Sequence, residues 1–167
     1  MSTRLPSSVG SPLRITTPAF LIALLAHGAV AEPSVPDGVV LFNARDAEWT
    51  VGGGPGAVRT PIYGDPSQSG AYLHLIKVPP NAVGRARKYT DDRTYTVIAG
   101  TWFIGFGDRF DRSRLLELPA GSYYALPAGV AVFNATAGDG ATLQIGGHGP
   151  TEHIDLEAET SSDPNRR

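Results

Sequence analysis

Cysteine is absent from the 167 residues. That excludes disulfides, thiol nucleophiles and cysteine-based zinc sites. A strong charge of either sign is also missing, since 14 Lys and Arg against 16 Asp and Glu leave −2. No broad field therefore draws the chain to nucleic acid or to an anionic membrane. Apolar spacing at the helical period is missing outside the N-terminal segment, so neither a strand–helix alternation nor a helical bundle fits. No apolar run approaches the ~20 residues that span a bilayer. The glycine-rich stretch 52–56 (GGGPG) lacks a following GK[ST] and opens no helix, so it is a turn and not a phosphate loop.

What remains is a pattern of short strands and turns. Glycine (20) and proline (14) punctuate apolar runs in a chain that is 41% hydrophobic and 18% charged. Alternation and β-branched content predict strands over 38–43, 58–63, 71–78, 85–89, 94–98, 101–107, 115–118, 122–126, 130–135 and 141–145. Asp91-Asp92 supplies turn chemistry between 85–89 and 94–98, which predicts a hairpin. Gly138-Asp139-Gly140 predicts another between 130–135 and 141–145. Residues 146–152 (GGHGPTE) form a glycine-rich loop carrying His148, with His153 just after it. Evenly spaced short strands predict an all-β barrel or sandwich.

The N-terminus has the three parts of an export signal in order. Arg4 and Arg14 make a basic start, residues 19–26 are apolar, and Ala29-Val30-Ala31 is an A-x-A cleavage site ahead of Glu32-Pro33. The expected organisation is a signal peptide at 1–31, one barrel domain at 37–157 and a disordered polar tail at 158–167, in a secreted or periplasmic protein. After signal cleavage no membrane contact is expected.

Residues 81–100 (NAVGRARKYTDDRTYTVIAG) carry the most specific signal. Their spacing resembles the first cupin motif: Gly, five residues, His-x-His, three or four residues, Glu, six residues, Gly. Asn81, Arg87, Tyr89, Arg93 and Gly100 take those places. Residues 121–136 (GSYYALPAGVAVFNAT) resemble the second motif, with Gly121, Pro127, Gly129, Val132 and Thr136 at its marked positions. The resemblance implies a cupin-type double-stranded β-helix, a jelly-roll barrel. It also implies a metal held by the two His, the Glu and the later His. This chain has Arg87, Tyr89, Arg93 and Val132 there, and an arginine cannot ligate a cation. No cofactor is therefore expected.

In an extended strand Arg85, Arg87 and Tyr89 share a face. Arg87 and Arg93 would make the pocket electropositive, and guanidinium forks match carboxylate and phosphate oxygens. Buried unpaired, they are costly, so an anionic ligand or the nearby Asp91 and Asp92 must answer them. Three readings stay open. The first is a metal-free module binding a small anionic molecule through Arg87, Tyr89 and Arg93, with Val132 in the wall and Gln144 orienting the ligand if it faces inward. The second is a metal-independent isomerase, epimerase or lyase, with His74 as base and Tyr89 or Tyr95 as acid. The third is a non-catalytic barrel whose arginines are paired internally and which pairs into a homodimer. His148 and His153 are the candidates for a substitute metal site.

Overall fold

A computed structural model describes residues 35–54 and 56–157. The expected signal peptide and tail lie outside the described residues. Nine strands follow in order: β1 (Thr50–Val51), β2 (Val58–Tyr63), β3 (Gly70–Val78), β4 (Val83–Tyr89), β5 (Arg93–Phe106), β6 (Leu116–Pro119), β7 (Tyr123–Leu126), β8 (Val132–Gly149) and β9 (His153–Asp155). One 3₁₀ turn, Arg112–Arg114, separates β5 from β6. No helix among the described residues is long and apolar enough to cross a membrane.

The two long strands β5 and β8 pair antiparallel and form the spine. Along the other edge of β8, its second half pairs with β3 and its first half with β4. Along the other edge of β5, β7 takes Arg93 to Thr96 and β6 takes Thr101 to Ile104. β2 and β1 extend the β3 side, and β9 extends the β4 side. The register shift in β5 at Gly100/Trp102 opposes residues 137–140 of β8, and a smaller one at Val97/Ala99 lies opposite Leu143 and Thr142. Such bulges bend strands and let them pass from one sheet into another. The result is a curled antiparallel jelly roll, as the resemblance implies. Gly100 sits at the bend with φ +75°, and a Cβ there would overlap the Gly140 carbonyl. Only glycine fits both demands.

The interior is built by alternation. Tyr95 and Val97 of β5, Leu143 and Ile145 of β8, Ile76 of β3, and Trp102 and Val132 from beyond the bend are buried together. Val97, Leu143 and Phe133 are fully buried, each worth about 1.5–3 kcal/mol. Phe133 faces the other way, edge-on to Phe110 at 5.4 Å.

Four expectations need correction. Residues 38–43 are not a strand, and Val39, Val40 and Leu41 are exposed; β propensity without cross-strand packing does not make a strand. β4 and β5 do not form a hairpin: the turn at 90–92 carries the chain across the barrel, and each pairs with β8 instead. The segments 130–135 and 141–145 are not a hairpin either, because 137–140 bulge without reversing the chain. Finally, 146–149 are strand, not loop, held by β3 through Gly149.

Candidate functional site

The cavity between the curled sheets is the place where the cupin-like segments converge. Its volume is about 40 Å³, room for a few water-sized atoms. Tyr89, Tyr95, Trp102 and Tyr124 form an aromatic wall, Val132 and Ile145 add apolar surface, and Arg87 and Asn134 are polar. Tyr95 and Tyr124 stack at 4.5 Å with planes 5° apart, and Trp102 Nε1 donates to the Tyr124 hydroxyl at 3.3 Å. Burial first, then the neighbouring tyrosines, pushes the Tyr95 phenol well above its usual range, so it stays protonated.

Arg87 reaches this cavity because β4 bulges. Gly84 opposes Asn134 while Arg87 opposes Val132, so Arg85 and Ala86 stand against the single residue Phe133. The bulge breaks the alternation, so Arg85 is exposed and Ala86 fully buried, contrary to the shared face expected for Arg85, Arg87 and Tyr89. The Arg87 Nε is buried and has no hydrogen-bond partner. Its nearest acid is Asp155 on β9, at 3.9 Å, whose side chain is 57% exposed. A long pair to an exposed carboxylate contributes little.

Arg93 is held quite differently. Its Nε donates to Asp91 Oδ1 at 2.9 Å, and a second nitrogen donates to the Thr151 hydroxyl. Thr151 in turn donates to Asp91, and the Tyr72 hydroxyl donates to Asp91 Oδ2 at 2.6 Å. The Arg93 guanidinium lies 3.6 Å above the Tyr89 ring. Burial alone would raise the Asp91 pKa, but hydrogen bonds from Thr151, Tyr72 and Arg93 outweigh it and keep the carboxyl ionised. The network needs close backbone: a Cβ on Gly147 would overlap Tyr72 and Asp91. Asp92 does not join in. It accepts from the Ala128 backbone N–H at 2.8 Å.

The structure therefore brings Arg87, Tyr89 and Val132 together at the cavity, with Arg93 beside them but already paired. Gln144 does not reach it. Leu143 and Ile145 take the inward positions, and Gln144 points to the opposite face. His74 stacks on Tyr72 at 5.7 Å and lines a separate groove between β2 and β3. Burial, then the charges of Arg93 and Arg59, lowers its pKa to about 4, so its ring is neutral near pH 7. His148 and His153 lie on different strand pairs, β8 with β3 and β9 with β4. Among the described residues no three His, Cys, Asp or Glu side chains cluster. The resemblance places a divalent metal among Arg87, Tyr89, Arg93 and Val132. Two guanidiniums, a phenol and a valine do not fit one.

Sequence pattern alone missed Asn134, Tyr124 and Thr151. The Tyr95–Tyr124 pair depends on the β5–β7 register, and Thr151 reaches Asp91 across 60 residues. Only Asp91 carried a signal, its position in the turn before Arg93.

No protein-family model matches the chain, and no curated protein matches it in sequence. Solved structures do match. The polyketide cyclase RemF from Streptomyces resistomycificus aligns with a TM-score of 0.57 at 15% identity, over 70% of this chain and 86% of that one. An RmlC-like cupin from Shewanella frigidimarina gives 0.53 at 17%, over 64% and 87%. KdgF from a Halomonas species gives 0.52 at 15%, over 65% and 92%. At such identities the likeness establishes the fold, and the fold is that of the cupins.

Proposed function

We propose that this cupin-fold chain is an exported binding protein that anchors the head group of a small anionic molecule on Arg87 inside its barrel, without a bound metal. One observation carries the reading: Arg87 Nε is buried against the cavity with no acceptor. A buried donor left unsatisfied costs about 1–3 kcal/mol. A carboxylate oxygen would remove that cost and add a charge-assisted bond. Tyr89 and Asn134 supply further polar atoms on the same wall. The small volume admits the head group alone, so a larger ligand must displace side chains.

Size limits the strength. At a ceiling of about 1.5 kcal/mol per heavy atom, formate reaches about −4.5 kcal/mol, a Kd of about 0.5 mM. Calorimetric titration of the chain with formate and acetate checks the reading. We expect saturable binding in the millimolar range that is lost in Arg87→Gln and weakened in Arg87→Lys. Equal affinity of wild type and Arg87→Gln rejects it.

A second reading has an observation of its own. Arg93 is neutralised by Asp91, and the cavity is nearly filled. Both suit a non-catalytic barrel that acts as an interaction surface, including with a second copy. Absence of any anion binding, together with a dimeric mass in sedimentation, selects that reading. Export rests on the composition of residues 1–31.

A further inference from the structure

A groove of about 400 Å³ opens between β2 and β3 and is separate from the barrel cavity. Arg59 of β2 pairs with Ile76 of β3, and Pro61 pairs with His74. Arg59 and His74 are thus diagonal neighbours across the two strands, with backbones about 7–8 Å apart. Both side chains line the groove, with Thr50 and Asp65 at its polar rim and Pro61 and Leu73 along its apolar side.

The polar groups here are differently committed. Asp65 Oδ1 already accepts from the Ser67 backbone N–H and hydroxyl, both at 2.8 Å. The Thr50 hydroxyl donates to the Arg59 carbonyl. The Arg59 side chain is exposed, and none of the ion pairs among the described residues involves it. His74 has no hydrogen bond among the described residues, although its ring is fixed by stacking on Tyr72. An uncharged imidazole has one donor nitrogen and one acceptor nitrogen. A hydroxyl, which both donates and accepts, is its matching partner.

We infer that the β2–β3 groove is a second small-molecule site, one that takes a hydroxycarboxylate: Arg59 holds the acid group and the neutral His74 ring holds the hydroxyl. The apolar side along Pro61 and Leu73 accommodates the carbon chain. Burial and the flanking Arg59 and Arg93 keep the ring uncharged at neutral pH, as the pairing requires. This site does not depend on Arg87.

The test uses the full chain, with L-lactate as probe and propionate as the counterpart lacking the hydroxyl. Affinity is measured by calorimetry and the site by the NMR signal of the His74 ring. Lactate should shift that signal saturably and bind about ten-fold more tightly than propionate. Arg59→Gln should weaken lactate by about ten-fold or more. Asp65→Asn keeps the acceptor for Ser67 while removing a competing negative charge, and should strengthen binding. The lactate-induced shift of the His74 ring, which reports this groove alone, should be the same in the wild type and in Arg87→Gln. Equal affinity for lactate and propionate overturns the inference. So does an undiminished lactate shift of the His74 ring in Arg59→Gln, or its loss in Arg87→Gln, which would assign the effect to the barrel.

Discussion

Arg87 and Arg93 stand six residues apart and have opposite environments. Arg93 has Asp91, Thr151 and the face of Tyr89; Arg87 has a buried nitrogen without a partner. A guanidinium already neutralised by a buried carboxylate gains less from an anionic ligand than an unpaired one. His74 offers a check at the same scale. Its pKa is lowered from 6.5 to about 4, chiefly by burial, then by Arg93 and Arg59, with Asp91 opposing and Tyr72 stacked on the ring. The unfolded chain therefore takes up a proton in that window and the folded chain does not, so stability is full above pH 6.5 and falls as pH drops toward 4. Denaturant titrations across this range should show the decline, and His74→Gln should flatten it. An unchanged slope in the variant would place the titrating group elsewhere.

At the scale of elements, one bulge decides the site. Had β4 stayed regular, Arg85 and Arg87 would share a face, as alternation predicts. The bulge turns Arg85 outward and leaves the amide of fully buried Ala86 without a ladder partner. Glu157 completes it. One carboxylate oxygen accepts from the Ala86 N–H at 3.1 Å and the other from the Phe110 N–H at 2.7 Å. Glu157→Ala leaves two donors unmatched, and we expect a loss of about 1–3 kcal/mol. In a chain of this size that lowers the melting temperature by about 3–9 °C. Glu157→Gln, which keeps one acceptor oxygen, should lose less. A melting temperature unmoved by Glu157→Ala would show that the bulge does not lean on it. Strand identity was legible in the sequence from Val58 to Ile145, because alternation and β-branched runs are local properties. Pairing was not. The predicted partners were sequence neighbours across a turn, whereas the curled sheets pair β4 and β5 separately with β8. The cupin-like spacing supplied what local pattern could not, the convergence of Arg87 and Val132. Gln144 failed because inward parity on β8 is reset by the bulge at 137–140.

For the whole molecule, a cysteine-free chain relies on its core. The interior of the barrel is given over to that core, with Val97 and Leu143 fully buried and four aromatic rings closing the cavity. What is left for a ligand is small and carries one guanidinium with an unmet bond. Net charge of −2 makes the attraction local, so binding should depend on Arg87 and not on the overall field. The most direct measurement is the NMR resonance of the Arg87 Nε–H during titration with acetate. A single saturable downfield shift is expected at that nitrogen, matching the calorimetric affinity, as the orphan donor gains an acceptor. A resonance that stays put while acetate binds elsewhere, or no binding at all, would contradict it.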